Sequence, residues 1–443
     1  MSENEDLSYL DELGLGFSID RLGLATRPTP MRVTCLTPDD DRILYHTDPT
    51  IVRRLLAEGR ELPAFEHAGP REKLFFDPVG LRAGIVTCGG LCPGINDVIR
   101  AIVLCLYHHY GVETVYGVRY GYEGLIPDFG HEPLALTPAR VDHISEFGGT
   151  LLGTSRGNQD VGRMVDTLVE RRVSILFTIG GDGTLRGAGA IAAEIARRGL
   201  SIAVVGVPKT IDNDISFIER SFGFVTAAAE ARRAIEGAHS EALAARNGIG
   251  LVKLMGRESG FIAAHAALAD SQVNFCLIPE QPFTLEAFLP ALRDRLAARG
   301  HAVIAVAEGA GQDLIGQQTG PNAALGQDAS GNAKLGDIGL FLRQAINLYF
   351  KEIGLPVSLK YIDPSYIIRS LPANAYDSAY GLLLGYNAVH AAMSGRTNMV
   401  VGYWSNEYTH VPIPLAVHKR KRIEPQGWLW NNVLLATGQG ELN

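Results

Sequence analysis

Short apolar segments alternate with longer amphipathic segments from Leu81 onward. The short segments are rich in Val and Ile, are apolar nearly throughout, and end at Gly or Pro. Strands that are covered on both faces of a sheet have this composition. The pattern therefore predicts parallel β-sheets, with strands in LRAGIVTC, TVYGV, SILFTIGG, SIAVVGVP, GIGLVKLMG, NFCLIP and HAVIAVAEG.

The longer segments have the periodicity of helices. Apolar residues recur at helical spacing from Ile95 to Leu106, and a second helix is predicted from Val161 to Leu168, capped by Asn158 or Asp160. A third helix is predicted from Thr184 to a closing glycine at 199. Because strand, glycine turn and helix repeat in this order, we expect a doubly wound α/β architecture with ligands at the carboxyl ends of the strands.

Two stretches lie outside this pattern. Residues 1–80 lack the alternation and are predicted to form an N-terminal extension of unknown role, with one helix in IVRRLLAEG. Leu314 to Asp337 is rich in Gly, Gln and Asn and has no apolar period. That composition predicts a long loop or mobile segment.

Composition narrows the class of protein. With 443 residues the chain is long enough for two or more cores, and a net charge of −8 disfavours a nucleic-acid partner. The five cysteines contain no Cys-x-x-Cys pair, so neither a disulfide framework nor a zinc site is expected, and a reducing cytoplasm fits best. No stretch reaches the ~18 apolar residues that a membrane span requires, so we expect no membrane partner.

Two glycine-rich turns follow predicted strands. GGLCPG, residues 89–94, lets backbone amides approach an anion, and the following helix contributes its positive end. IGGDGT, residues 179–184, adds Asp182, a hard oxygen ligand of the kind that Mg²⁺ prefers. Tight turns without function have similar sequences, and IGGDGT also occurs in kinases of lipids and dinucleotides. Taken alone, each turn is therefore consistent both with phosphate binding and with a tight turn that has no function.

The segment VPKTIDND, residues 207–214, follows a predicted buried strand. Its polar side chains are expected at the carboxyl end of that strand, at the same edge as the IGGDGT turn. A carboxylate beside a substrate hydroxyl accepts its proton during phosphoryl transfer, which contributes roughly 10²- to 10⁴-fold in rate. The alternative is a capped turn, since Asp and Asn favour such positions.

Further charged residues follow other predicted strands. Arg257 in LMGRESG is able to fork around a phosphate, and Glu308 in AEGAG is able to bind sugar hydroxyls. Arg156 in GTSRGN and Arg369 in YIIRS are weak signals individually. Each also fits an interpretation without function, as a solvated residue at the end of a helix or strand. Together they predict a cationic ring around two phosphate-bearing ligands.

Seven motifs in one order resemble the phosphofructokinase family across roughly Leu81 to Arg396: GGLCPGIN, GGTLLGTSRG, GGDGT, PKTIDND, KLMGRESGFIAA, AEGAGQDL and KYIDPSYIIR. The resemblance is closest to the plant-type ATP-using branch. It implies a phosphofructokinase-like fold of two doubly wound parallel-sheet α/β domains with an N-terminal extension. The implied boundaries are 1–80 for the extension, 81–223 plus about 370–420 for nucleotide binding, 224–369 for sugar-phosphate binding, and 421–443 for a C-terminal segment.

The resemblance also implies roles for individual residues. Asp212 is similar to the family's base, which takes the proton from the C1 hydroxyl of fructose 6-phosphate, and Lys209, Thr210 and Arg257 join it as predicted catalytic residues. Asp182 is similar to the family's magnesium ligand. The implied nucleotide contacts are Gly89, Arg156, Gly157, Gly181, Asp182, Gly183 and Thr184. The implied sugar-phosphate contacts are Thr210, Ile211, Asp212, Asp214, Met255, Gly256, Arg257, Glu308, Lys360, Tyr366 and Arg369.

The implied activity is that of an ATP-dependent 6-phosphofructokinase, an allosteric and cytoplasmic enzyme of glycolysis that uses ATP and Mg²⁺. Family members that use pyrophosphate have GGDD where this chain has Gly183, and their added carboxylate repels the α-phosphate of ATP. ATP is therefore the expected donor, with a pyrophosphate-dependent enzyme as the alternative. A catalytically silent regulatory subunit and a lipid or dinucleotide kinase are the hypotheses from other classes.

The chain departs from the family in two places. Bacterial relatives extend an arginine into the sugar site of a neighbouring subunit, and this chain has Gly248 at that position, with Arg246 as a candidate substitute. Tyr366 stands where many relatives have a histidine. The family's habit predicts a homodimer or homotetramer.

Overall fold

The computed structural model describes residues 14–32, 34–319, 326 and 334–443. These residues divide into two compact units. Unit 1 comprises the described residues of 1–210, 215–222 and 372–419, and unit 2 comprises the described residues of 211–214, 223–371 and 420–443. The chain therefore passes between the units several times, and VPKTIDND contributes Lys209 and Thr210 to unit 1 and Ile211 to Asp214 to unit 2.

The elements of unit 1 are as follows. Its strands are β1 Asp20–Arg21, β2 Arg27–Pro28, β3 Arg42–Leu44, β4 Ala64–His67, β5 Lys73–Leu74, β6 Arg82–Thr87, β7 Thr114–Val118, β8 Leu134–Ala135, β9 Ile175–Gly180 and β10 Ala203–Pro208, and later β15 Arg396–Thr397, β16 Met399–Trp404 and β17 Glu407–Pro412. Its α-helices are α1 Pro49–Ala57, α2 Ile95–Cys105, α3 Pro138–Val141, α4 Val161–Glu170 and α5 Asp182–Arg197, and later α12 Ala375–Met393 and α13 Ile413–Val417. A π-helical turn, Leu106–Tyr110, continues α2, and 3₁₀ turns lie at Gly121–Leu125, Pro127–Phe129 and Ile144–Glu146.

The elements of unit 2 include a smaller set of strands. These are β11 Gly248–Leu254, β12 Phe275–Leu277, β13 His301–Ala307 and β14 Ser358–Ile362. Its α-helices are α6 Phe224–Leu243, α7 Phe261–Ala269, α8 Leu285–Arg299, α9 Gln312–Thr319, α10 Ile338–Glu352, α11 Ser365–Ile368 and α14 Trp428–Thr437. Among the described residues, no helix is both long enough and apolar enough to cross a membrane.

The main sheet of unit 1 has the strand order β3-β4-β17-β16-β10-β9-β6-β7-β8. Its centre is parallel from β16 to β7, whereas β8 at one edge and β17, β4 and β3 at the other are antiparallel. Every residue of the central strands β9 and β10 is buried. Strands covered on both faces need apolar residues at each position, which explains their continuous Val and Ile runs.

The sheet of unit 2 is parallel throughout, with the order β12-β13-β11-β14. Phe275, Phe288, Leu292, Ile304 and Phe350 lie in its apolar core. Both units are therefore α/β structures with parallel sheets, as the sequence predicts. The antiparallel edges of the larger sheet are a feature that the periodicity did not reveal.

The described residues before 80 include part of the main sheet of unit 1, although the sequence predicts a separate extension. Strands β3 and β4 extend the main sheet of unit 1, and Glu66 of β4 is buried within it. Arg396, Arg71 and His410 donate hydrogen bonds to the Glu66 carboxylate. Although burial acts in the opposite direction, the hydrogen bond from His410 and the charge of Arg396 hold the pKa of Glu66 well below its usual range.

Three other expectations from sequence need correction. The predicted loop at 314–337 begins inside helix α9, and residues 320–325 and 327–333 lie outside the described residues. Helix α5 starts at Asp182 rather than Thr184, so Asp182 is its first residue. Residues 421–443 belong to unit 2, in which the Thr284 amide donates to the Leu442 carbonyl at 2.8 Å. The predicted capping of α4 by Asp160 is confirmed by a 2.9 Å hydrogen bond from the Arg163 amide.

Glycine sets the spacing between β11 and helix α6. A Cβ atom at Gly250 would lie 2.8 Å from the carbonyl oxygen of Ala238 and 2.9 Å from its Cβ. Gly237, the preceding residue of the same helix, has no atom within 4 Å of its added Cβ position. The strand therefore requires glycine for close packing, whereas the helix does not.

We predict opposite effects of alanine at these two positions. Gly250→Ala should lower the free energy of unfolding by about 1–3 kcal/mol because the strand must move away from the helix. Gly237→Ala should raise it by about 1 kcal/mol, since glycine weakens a helix interior. Urea denaturation followed by circular dichroism measures both, and a neutral Gly250→Ala would contradict the packing argument.

Candidate active site

The GGLCPG turn connects β6 to helix α2 in unit 1. Gly94 precedes the helix with φ +96°, a conformation that favours glycine. The amide of Gly89 donates to the Ser155 carbonyl at 3.1 Å, and the Thr154 hydroxyl donates to the Gly89 carbonyl at 2.7 Å. These contacts bring the exposed pair Arg156 and Gly157 next to the turn. Three of the predicted nucleotide contacts are thus neighbours.

The IGGDGT turn lies at the end of the adjacent strand β9. Gly181 is the N-cap of helix α5, which runs for 16 residues and directs its positive end at this turn. Thr184 is buried, and its carbonyl accepts a 2.7 Å hydrogen bond from the Tyr122 hydroxyl. The arrangement has the free backbone amides and positive dipole that bind phosphate.

Lys209 links the two turns. Its amide donates to the Gly180 carbonyl at 2.9 Å, and its buried ammonium donates to the Gly90 carbonyl. A Cβ atom at Gly89 would lie 3.3 Å from the Lys209 Nζ. Thr210, the next residue, accepts a hydrogen bond from Ser221 through its carbonyl. The structure therefore brings Lys209 and Thr210 to the strand tips, as the sequence predicts.

Asp182 is the candidate metal ligand. Its carboxylate is partly shielded and lies 3.0 Å from the Arg186 Nε, while Arg186 also donates to the Val417 carbonyl. Among the described residues, no group of three or more His, Cys, Asp or Glu side chains is arranged so that it could hold a metal ion. Mg²⁺ in phosphate sites is commonly held by one or two carboxylates together with substrate phosphates and water. A single carboxylate at a phosphate-binding turn fits such an ion.

Gly183 has open space beside it. Apart from its chain neighbours and the backbone of its own helix, no described atom lies within 4 Å of the Cβ position that another residue would occupy there. The helix start therefore tolerates a side chain at this position as far as the fold is concerned.

Unit 2 contains the carboxylates of the TIDND motif. Ile211 and Asp214 are buried, and Asn213 is buried with φ +55°. The carboxylate of Asp214 lies 3.2 Å from Nη1 of Arg420. The Asp212 carbonyl accepts a 3.3 Å hydrogen bond from the Ser259 hydroxyl. The turn thus holds Asp212 and Asp214 close together with little access to water.

The environment of Asp212 favours its protonated form. Burial raises its pKa well above the usual value, and repulsion from Asp214 and Glu308 adds to this effect. Burial also raises the pKa of Glu308, against the opposing charge of Arg257. A carboxylate with a raised pKa holds a proton more strongly and is a better general base once it is ionised.

Hydrogen bonds between the ends of β11 and β13 position the MGR residues, Met255 to Arg257. The Glu308 amide donates to the Leu254 carbonyl at 2.8 Å, and the Gly309 amide donates to the Gly256 carbonyl at 3.0 Å. Gly256 has φ +126°, which other residues rarely adopt. These contacts bring Met255, Gly256, Arg257 and Glu308 together after β11 and β13, in agreement with the prediction.

The KYIDPSYIIR motif is split by the structure. Tyr366 and Arg369 lie at helix α11, where the Arg369 guanidinium carbon is 4.5 Å from the centre of the Tyr366 ring. Lys360 lies within β14 beside Gly250, four residues before the end of β11, and its Nζ is 4.0 Å from Glu241. The structure therefore does not bring Lys360 to the strand ends with the other predicted contacts.

Lys253 was missed by the sequence analysis. Its Nζ lies 2.8 Å from Asp363 and 3.1 Å from Asp337. Asp363 also accepts a hydrogen bond from the amide of Ser365, the first residue of α11. Lys253 thus orients the short helix that carries Tyr366. The signal in the sequence that could have revealed this residue was a lysine inside the apolar run GIGLVKL.

Gly248 is the position at which the family resemblance implies an inter-subunit arginine in bacterial enzymes. A Cβ atom at this glycine would lie 2.0 Å from the carbonyl oxygen of Ala242. The backbone geometry therefore excludes any side chain at this position, and the departure from the bacterial pattern is built into the fold.

The family model for phosphofructokinase matches residues 82–392. The chain belongs to the phosphofructokinase family. It is 52% identical over 383 residues to the ATP-dependent 6-phosphofructokinase of Borreliella burgdorferi, covering 84% of this chain and 85% of that protein. It is 48% identical over 405 residues to the ATP-dependent 6-phosphofructokinase of Amycolatopsis methanolica, covering 90% and 88%. It is also 48% identical over 376 residues to the chloroplastic ATP-dependent 6-phosphofructokinase 5 of Arabidopsis thaliana, covering 84% and 68%.

Solved structures support the fold of this phosphofructokinase family member. A pyrophosphate-dependent phosphofructokinase from Marinobacter aquaeolei matches with a TM-score of 0.66 at 19% identity, covering 82% of this chain and 92% of that one. At this identity the match concerns architecture alone. It confirms the predicted phosphofructokinase-like fold.

We predict that Asp212→Asn stabilises the folded protein at neutral pH. Because the pKa of Asp212 is raised in the folded state, the contribution of this residue to stability is fully present below its unfolded pKa of about 3.9. That contribution is lost as the pH rises through the folded pKa. Asparagine stays neutral, so the advantage of the variant should grow as the pH increases. Urea unfolding at several pH values measures this difference.

Asp214→Asn is the matched control for this prediction. It removes the carboxylate that Arg420 contacts at 3.2 Å and should lower stability at neutral pH, but by less than the about 3–5 kcal/mol of a fully uncompensated buried charge, because Glu258 lies 3.6 Å from the same guanidinium. A constant difference between Asp212→Asn and the unmodified protein at every pH would contradict the proposed environment of Asp212.

Proposed function

We propose that this protein is an ATP-dependent 6-phosphofructokinase, which transfers the γ-phosphoryl group of ATP to the C1 hydroxyl of fructose 6-phosphate in glycolysis. The observation that carries the proposal is 48–52% identity to ATP-dependent 6-phosphofructokinases over 84–90% of the chain. The products are fructose 1,6-bisphosphate and ADP. Each unit supplies one part of the machinery.

Unit 1 binds the nucleotide phosphates in this proposal. The amides of the glycine turns, the positive end of helix α5 and the cations Lys209 and Arg156 stabilise the negative charge of the donor. Gly89, Gly157, Gly181 and Thr184 supply backbone contacts. Asp182 would hold Mg²⁺, which neutralises charge on the β- and γ-phosphates when it is bound.

Unit 2 binds the sugar phosphate and removes the proton. Asp212 accepts the C1 hydroxyl proton as the new C1–O–P bond forms and the bond from the γ-phosphorus to the β–γ bridging oxygen breaks. Arg257 and Arg369 offer guanidinium groups to phosphate, and Glu308 accepts hydrogen bonds from sugar hydroxyls. Thr210, Ile211, Asp214, Met255, Gly256 and Tyr366 complete the proposed contacts. The position of Lys360 beside Glu241 gives its proposed role no support.

ATP is favoured over pyrophosphate as the donor. Glycine at 183 adds no repelling charge beside the expected position of the α-phosphate, and no described side chain apart from its chain neighbours lies within 4 Å of the Cβ position there. An aspartate at this position would place a second carboxylate next to Asp182. Lys209 does not contribute to this choice because both classes of enzyme have it.

The proposal extends to the setting of the enzyme. The resemblance supports a homodimer or homotetramer. None of the five cysteines, all of which are described, forms a disulfide, which supports a reducing compartment such as the cytoplasm.

A donor-preference assay tests the function. We expect fructose 1,6-bisphosphate to form from fructose 6-phosphate with ATP and Mg²⁺ and much more slowly with pyrophosphate. Asp212→Asn is the control for catalysis, and its kcat should fall by roughly 10²- to 10⁴-fold with KM for the sugar little changed. Faster product formation with pyrophosphate would contradict the donor assignment.

Exchange of Gly183 separates charge from size. Gly183→Asp should raise KM for ATP at least tenfold by charge repulsion, about 1.4 kcal/mol of lost binding, while the protein remains folded. Gly183→Asn has nearly the same size without the charge and should have a smaller effect. Equal kinetics of the Asp and Asn variants would show that charge at this position does not determine ATP use.

A further inference from the structure

Arg420 lies in the basic run HKRKR, residues 418–422, outside the motifs of the family resemblance. Its Nη1 atom is 3.2 Å from the Asp214 carboxylate and 3.6 Å from the Glu258 carboxylate. The Arg420 side chain is 23% exposed and that of Asp214 is 8% exposed. Because both partners are largely shielded from water, salt screens this pair less than a surface pair.

Main-chain contacts hold this part of unit 2 independently of the Arg420 side chain. The Lys421 amide donates to the Asp214 carbonyl at 2.9 Å, and the Ile423 amide donates to Glu280 at 2.9 Å. Glu280 also accepts the Gly260 amide at the start of helix α7. The guanidinium is therefore delivered to Asp214 by a backbone that is anchored at the first and third residues after Arg420.

The charge around Asp212 is predominantly negative. Asp214 and Glu308 disfavour its ionised form, and burial acts in the same direction. The opposing contributions come from the backbone N–H of Arg257 and from the charge of Arg420. The Glu258 carboxylate faces Arg420 but also pairs with a second cation, because Arg422 lies 2.9 Å from it.

We propose that Arg420 is a positioning residue for phosphoryl transfer, which neutralises Asp214 and thereby allows Asp212 to ionise and act as the base. This inference rests on the proposed function, in which Asp212 takes the proton of the C1 hydroxyl. Arg420 itself does not need to touch the substrate. It acts through Asp214, 206 residues away along the chain.

The test is the pH dependence of kcat/KM for fructose 6-phosphate at saturating ATP. The rate falls on the acid side as the base becomes protonated. Loss of a nearby opposite charge typically raises a carboxyl pKa by about 1 unit or more. Arg420→Gln should therefore shift the acid limb upward by about one pH unit, a roughly tenfold loss at low pH that diminishes at alkaline pH. Arg420→Met is a second neutral variant that keeps an aliphatic side chain.

Two further variants complete the experiment. Arg420→Lys retains the charge and should keep the acid limb near its original position. Arg422→Gln removes a neighbouring cation that pairs with Glu258 and should leave the limb unchanged. A purely structural role would lower the rate equally at all pH values.

The outcomes separate the two proposals. An enzyme that is active with ATP but whose Arg420→Gln or Arg420→Met variant has an unshifted acid limb overturns the role of Arg420 alone. An equal shift in Arg422→Gln also overturns it, since a general field effect would then suffice. An unmodified protein that forms no product from ATP and fructose 6-phosphate overturns the proposed function instead.

Discussion

Repulsion between two carboxylates in a turn with little water is the constraint on which unit 2 depends. Asp212 and Asp214 are two residues apart in sequence, and Glu308 adds a third negative charge. Guanidinium and ammonium groups offset such charges: Arg420 lies beside Asp214, and Lys253 lies between Asp337 and Asp363. Acidic and basic side chains therefore pair with one another at the strand ends of this unit. Removal of one side chain leaves the opposite charge of its partner without compensation.

Unit 1 offers different groups to negative charge, mainly backbone amides rather than paired side chains. Its two glycine turns present backbone amides at helix starts, and Lys209 donates to the carbonyl of Gly90 between them. A donor that carries several charges of its own requires amides and a few cations rather than a balanced network. The proposed function accounts for the difference between the units, because in that proposal unit 1 holds a polyphosphate and unit 2 keeps a carboxylate available as a base.

Local pattern predicted seven strands, β6, β7 and β9 to β13, because continuous apolar runs reflect burial on both faces of a sheet, and it predicted four helices, α1, α2, α4 and α5. Contacts between distant parts of the chain could not be predicted in this way. Lys360 belongs to a promising motif, yet strand register places it beside Gly250 and Glu241, and register is not visible in one sequence. Arg420 was missed because its partner lies 206 residues away. Asp182 was expected in a turn, but the helix begins at this residue since Gly181 already acts as its cap.

Burial of Glu66 changes how the N-terminal region should be regarded. Arg71, Arg396 and His410 all donate to this one carboxylate in the interior of unit 1. A shortened chain starting near residue 81 would retain Arg396 and His410 but lose the carboxylate that neutralises Arg396 and accepts a hydrogen bond from His410. A cation stranded in an interior typically costs several kcal/mol. The first 80 residues thus contain an internal counterion of the catalytic scaffold, and a boundary for expression or domain exchange belongs before β3 rather than after β5.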